Sequence, residues 1–193
     1  MEKKIYHVST KPGITMLEPR VSVHGKPLVY GTQCLEFALL FGSENRHGDF
    51  DGIYGIDENG VPFFDEAYVD SLKERFDGQT CYIYELDPTD FKEGQTSFGG
   101  EVVSEKPVKV LSCTKVENVY DRLKEAQAEG KIKLTEFKAD DPQYTARVDE
   151  HISERLERFH ITNIFAKGYG FCKKKFPHLI GKRQQEKDQG RER

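Results

Sequence analysis

No stretch of this chain approaches the ~18 consecutive apolar residues that a membrane span needs, so no membrane partner is expected. The opening residues, Met1 to His7, are charged and run into a strand-like segment. They lack the apolar core of a secretion signal, and a cytoplasmic protein is expected. The four cysteines (Cys34, Cys81, Cys113 and Cys172) lie far apart with no Cys-x-x-Cys pair. A disulfide scaffold is denser in cysteine and a zinc site clusters its ligands, so reduced thiols and no metal are expected.

Several catalytic signatures are also missing. No Gly-x-Gly-x-x-Gly loop follows a strand, which disfavours a dinucleotide-binding dehydrogenase. No Gly-x-Ser-x-Gly or Cys/His arrangement points to hydrolytic nucleophiles. Asp49-Phe50-Asp51-Gly52 and Asp57-Glu58-Asn59-Gly60 lack the alternating ligands and distant glutamate of a calcium loop, and read as turns. His151 and His160 are nine apart, without the i, i+4 spacing of a zinc pair.

What is present is enough apolar material for a core, at 36% hydrophobic, within a heavily charged surface, at 32%. Charge is uneven. Residues 167–193 hold nine Lys/Arg against three acids, a net +6, while the other 20 bases and 30 acids leave residues 1–166 at −10. The expectation is one α+β domain over 1–166 with a basic, flexible tail over 167–193. The tail is a candidate for weak nucleic-acid contact.

Along the chain, Lys3–His7 and Leu28–Thr32 read as strands separated by a Pro/Gly-rich loop over 10–27. Thr32 is placed to cap a helix carrying Cys34, Leu35, Ala38 and Phe41 or Leu39 on its apolar face, ended by Gly42. Asn59-Gly60 between apolar runs predicts a hairpin. Asp65 is expected to cap a helix reaching Phe76. Thr80–Leu86 reads as a central strand, followed by strands near Glu101–Ser104 and Val108–Cys113. Thr114 is expected to cap an amphipathic helix closed by Gly130. A strand or extended arm over 131–137 comes next. Asp141-Pro142 then opens a long helix with Tyr144, Val148, Ile152 and Leu156 on one face.

Three strand-end segments stand out: Tyr6-His7-Val8-Ser9-Thr10, Val29-Tyr30-Gly31-Thr32, and Gly99-Gly100-Glu101-Val102-Val103-Ser104. Together with Phe41, eleven positions after Tyr30, they resemble the ADP-ribosyltransferase fold. The likeness is to its histidine–tyrosine–glutamate branch, related to poly(ADP-ribose) polymerases. The resemblance covers residues 1–113 and leaves 114–166 as a helical extension. It implies a split β-sheet core in which His7, Tyr30 and Glu101 converge on NAD. Two departures accompany it. Val8 stands where the family usually has glycine, in a contact made by backbone amides that Ser9 extends. Phe41 stands where tyrosine is common. Gly99, two before Glu101, departs from the paired acid or glutamine of the arginine-modifying branch.

The resemblance assigns roles that suit the chemistry. Cleaving the nicotinamide–ribose bond develops an oxocarbenium ion, which a fixed carboxylate such as Glu101 stabilises. His7 would hold a ribose by hydrogen bonding, and Tyr30 and Phe41 would stack on nicotinamide. Arg20 could pair with the pyrophosphate or serve only a surface salt bridge. NAD would be a consumed substrate, and the acceptor, protein or nucleic acid, is unspecified. Two alternatives are a non-catalytic module of the same fold and an RNA 2′-phosphotransferase. The phosphotransferase needs several arginines, and only Arg20, Arg46 and Arg75 precede Glu101.

Overall fold

The computed structural model describes residues 4–21, 25–44, 47, 50–94, 99–161 and 164–181. It divides into two compact units. The first comprises Met1–Asn45, Tyr54–Phe64 and Leu72–Thr135, and the second Arg46–Ile53, Asp65–Ser71 and Glu136–Arg193. The division differs from the single domain over 1–166 that composition suggests.

The first unit is built on an antiparallel sheet. Its strands are β1 (Ile5–Ser9), β2 (Met16–Leu17), β3 (Arg20–Val21), β4 (Pro27–Thr32), β7 (Cys81–Leu86), β8 (Lys92–Glu93), β9 (Glu101–Ser104) and β10 (Val108–Val116). They lie in the order β2-β10-β7-β1-β4-β9-β8, with β3 attached to β4. The longer strands are rich in β-branched and aromatic residues, which suit a pleated, half-buried surface. Strands β5 (Gly52–Ile56), β6 (Pro62–Glu66) and β11 (Lys133–Thr135) form a second sheet in the order β11-β6-β5. Gly60 supplies the positive φ, 77°, at the turn between β5 and β6, as the Asn-Gly signal predicts.

Side chains alternate across the main sheet, so each face has its own core. One face carries Val8, Cys81 and Val116, with Tyr6 and Ile83 beside them. Helices α1 (Leu35–Leu39) and α3 (Val119–Ala128) cover it with Phe37, Leu39, Val119, Leu123 and Ala126. The other face buries Ile5, Val29, Tyr84, Leu86, Val102 and Val108, packed with Ile14, Leu17 and Phe91. Arg75, on helix α2 (Ser71–Phe76), is 1% exposed. Its guanidinium donates to the Leu40 carbonyl at 3.0 Å and lies 4.9 Å from the Phe76 ring centre and 5.1 Å from that of Tyr54. The aromatic faces and the carbonyl offset the cost of burying this charge.

The second unit centres on α4 (Pro142–Arg158). Asp141 caps it by accepting from the Gln143 and Tyr144 amides, and Pro142 occupies the first turn, where its missing N–H costs nothing. Tyr144, Val148, Ile152 and Leu156 are buried as their spacing predicts. They pack with Tyr169, Cys172, Phe176, Leu179 and Ile180.

Several boundaries differ from the sequence expectation. Cys34, not Thr32, holds the cap position of α1, and the helix ends before Phe41. Asp65 lies in β6, not at a helix start, and its carboxylate accepts from Arg147 at 2.9 Å. Thr114 lies inside β10, and Asn118 caps α3 by accepting from the Tyr120 amide. Residues 167–181, expected as part of a flexible tail, include helix α5 (Tyr169–Lys175). The apolar stripe Tyr169, Cys172 and Phe176 gives that helix a buried face despite its three lysines. Residues 182–193, the rest of the expected tail, lie outside the described residues.

Candidate functional site

The strands bearing His7, Tyr30 and Glu101 are neighbours: β1, β4 and β9 lie side by side. Glu101 stands opposite Thr32, and Thr32 opposite Tyr6, so Tyr6, Thr32 and Glu101 form one cross-strand row. Two strand spacings make that row about 10 Å long. Tyr30 stands opposite Val103, which places it diagonal to Glu101 on the same face, with Cα atoms about 7–8 Å apart. His7 is the neighbour of Tyr6 on β1 and pairs with Tyr84, so strand alternation sets its side chain on the other face. The registers bring together Tyr30 and Glu101 but not His7.

The seam between β1 and β4 is unusual. β1 pairs with β7 along its whole length, from Ile5 to Ser9, whereas its register with β4 is the single pair Tyr6 and Thr32. The beginning of β4 pairs with β3 instead, Leu28 opposite Arg20. Continued pairing would set Val8 opposite Tyr30. In its place the His7 side chain bridges the seam, with Nδ1 3.0 Å from the Tyr30 carbonyl oxygen. A carbonyl can only accept, so Nδ1 carries the proton and Nε2 presents its lone pair. Burial pushes the imidazole pKa down, and the bond to Tyr30 opposes this more weakly, so the ring is neutral near pH 7. A neutral imidazole of fixed tautomer acts as an acceptor for a hydroxyl and not as a cation.

Other candidate residues fall in different settings. Val8 is buried in the core opposite Ile83, so only its backbone is available to a ligand. Ser9 Oγ accepts from the Lys11 amide at 3.2 Å and closes the turn after β1. Phe41 follows α1 and is half-buried, with its ring edge-on to Phe37 at 5.3 Å and to Tyr54 at 6.0 Å. Arg20 is exposed on β3, in register with a residue two before Tyr30.

The glycines beside these residues have structural reasons of their own. A Cβ on Gly31 would come within 2.6 Å of Ile5 Cγ2, so glycine is what lets β4 approach β1 at the seam. Gly100 has φ 80°, and a Cβ there would lie 2.3 Å from Ile56 Cδ1. The Gly99-Gly100 pair, suggestive of close ligand approach in sequence, therefore includes one glycine that the backbone itself requires.

Two residues near the site have roles beyond those the sequence suggests, which for Thr32 is only that of a helix cap. Thr32 links Tyr6 to Glu101 in the cross-strand row, and its Oγ1 accepts from the Cys34 amide at 3.1 Å, so it turns the chain into α1. Cys34 occupies the cap position without a side-chain capping bond. Tyr84, opposite His7 on β7, read in sequence only as part of an apolar strand. A cavity of about 510 Å³ on the first unit shares Tyr6 with the cross-strand row and is otherwise lined by Ile83, Glu85, Thr114 and Asp121 among others. His7, Tyr30, Phe41 and Glu101 are not among its lining residues.

Among the described residues, no group of three or more His, Cys, Asp or Glu is arranged to hold a metal ion, and no helix is long and apolar enough to cross a membrane. No family model, curated protein or solved structure matches the chain.

Proposed function

We propose that this protein consumes NAD, cleaving the nicotinamide–ribose bond and transferring ADP-ribose to water or to an acceptor. The observation that carries this reading is that Tyr30 and Glu101 share one face of the sheet on adjacent strands, with His7 on the neighbouring strand β1 and its tautomer fixed by the Tyr30 carbonyl. His7 lies on the Tyr84 face of β1, so its Nε2 would accept from a ribose hydroxyl only of a ligand that enters the seam between β1 and β4. Tyr30, with Phe41 on the same side of the sheet, would hold the nicotinamide ring by stacking. Glu101 would oppose the positive charge that develops on the ribose as nicotinamide leaves. The electron pair of the breaking C–N bond departs with nicotinamide, and water or an acceptor nucleophile supplies the new bond to the anomeric carbon. Glu101 would also accept a hydrogen bond from that nucleophile.

The setting of Arg75 weighs against a phosphate-gathering transferase. Its guanidinium is buried among Tyr54, Phe64 and Phe76, so it cannot serve a phosphate at the surface. Arg20 is then the one exposed arginine among the described residues that precede Glu101.

The direct test is to incubate the purified chain with NAD and measure bound NAD and released nicotinamide. Binding and release support the proposal. A protein that does neither is not an NAD-consuming enzyme.

A further inference from the structure

Tyr84 is fully buried, yet its hydroxyl is committed to a segment remote in sequence. Oη donates to the Lys11 carbonyl at 2.6 Å and accepts from the Ile14 amide at 3.3 Å. Both partners belong to the chain just after β1, and Gly13, with φ 72°, provides the bend between them. Ile14 packs against the cluster that contains Tyr84, Val29 and Leu86, so this segment returns over the sheet face that Tyr84 occupies. On that face Tyr84 stands directly opposite His7. Directly opposed residues on paired strands share a face and are close neighbours.

We infer that Tyr84 is a positioning residue: its hydroxyl seats the 11–14 turn beside His7 and thereby sets the imidazole that bridges β1 and β4. Packing alone does not account for a tyrosine here, since phenylalanine would fill the same space without the two backbone bonds. The same segment leads on to β2 and to Arg20 on β3, so the clamp lies between His7 and Arg20 along the chain. Burial also raises the Tyr84 phenol pKa, which keeps the proton it donates to Lys11. The consequence for NAD rests on the function proposed above, whereas the seating of the turn does not.

The test is Tyr84→Phe, which keeps the ring and removes only the hydroxyl, with Tyr82→Phe on the same strand as the control. Three quantities are read: exchange of the Ile14 amide, the ¹⁵N shifts of the His7 imidazole at fixed pH, and KM and kcat for NAD. For Tyr84→Phe the Ile14 amide should exchange about tenfold faster and the His7 ring signals should move toward a mixture of tautomers. KM for NAD should rise about 3- to 10-fold, the scale of one hydrogen bond, with kcat changed less than about twofold. Tyr82→Phe should leave all three near the parent values. Unchanged Ile14 exchange and His7 signals in folded Tyr84→Phe overturn the inference, as does an equal response in Tyr82→Phe. If the parent turns over no NAD, the function proposed above fails, and the two spectroscopic readouts still decide the role of Tyr84. If Tyr84→Phe does not fold, Gly13→Pro, which disturbs the turn without touching the β7 core, takes its place. Faster Ile14 exchange with shifted His7 signals then supports the inference, and unchanged His7 signals overturn it.

Discussion

His7 reaches across from β1 to the Tyr30 carbonyl on β4, 3.0 Å from its Nδ1, at the point where the two strands stop following one register. Burial holds the imidazole below its ordinary pKa of 6.5. Between the lowered value and 6.5 the unfolded chain binds more protons than the folded one, so stability rises with pH in that window. The contribution is fully present above 6.5 and is lost as pH falls toward the folded value. Urea unfolding of the parent and of His7→Gln, compared between about pH 7.5 and about pH 5.5, should show a smaller decline in the variant. Equal declines would mean that His7 protonation is not coupled to folding.

The seam also depends on Gly31. A methyl group there would meet Ile5 Cγ2 at 2.6 Å and the Tyr6 carbonyl at 3.3 Å, so β1 and β4 would have to separate. Gly31→Ala should cost about 1–3 kcal/mol and disturb the His7 bond to Tyr30. Gly99→Ala, whose new methyl meets open space, should fall within about 0.5 kcal/mol of the parent. Thermal or urea denaturation of the pair checks this. A tolerated Gly31→Ala would show that the strands can move apart without loss.

In the second unit, Asp141 accepts two amide hydrogen bonds, from Gln143 and Tyr144, each at 3.0 Å. Asp141→Ala should therefore lower stability by about 0.5–2 kcal/mol, while Asp141→Asn should retain most of it. If both variants matched the parent in urea, α4 would be held by its buried face alone.

These examples show what local sequence could and could not reveal. Asp141-Pro142 and the four-residue spacing of Tyr144 to Leu156 marked α4 correctly, because capping and periodicity are local signals. The Asn59-Gly60 turn was legible for the same reason. Asp65 and Thr114 were misleading as caps, since both residue types also serve inside strands when a partner or ladder is available. Asp65 finds Arg147, 82 residues away, and no local pattern announces that pairing. The convergence of His7, Tyr30 and Glu101 is an expectation of the family resemblance alone, and the strand registers place Tyr30 and Glu101 on one face and His7 on the other. The commitment of Tyr84 to Lys11 and Ile14 was not legible at all, because a buried tyrosine in an apolar strand gives no sign of where its hydroxyl goes. The basic count after Lys167 concealed the apolar stripe that folds α5.

The sharpest functional prediction contrasts Glu101 with Tyr30, which share a sheet face one diagonal step apart. Glu101 would act when positive charge appears on the ribose, so its removal should lower turnover far more than ground-state NAD binding. Glu101→Gln keeps the size and reach of the side chain and removes the charge. A loss of order 10²–10³ in rate is expected, with NAD affinity changed little. Tyr30 would hold the nicotinamide ring before reaction, so Tyr30→Ala should weaken NAD binding together with rate. NAD affinity from calorimetry and nicotinamide release are measured on both variants, with folding checked by circular dichroism. A Glu101→Gln as fast as the parent would show that another carboxylate carries the chemistry, with Glu105 just beyond β9 the first to examine. If Glu101→Gln instead lost binding and rate in equal proportion, the carboxylate would be holding the substrate and not the transition state. The charge logic of the site would then have to be reassigned.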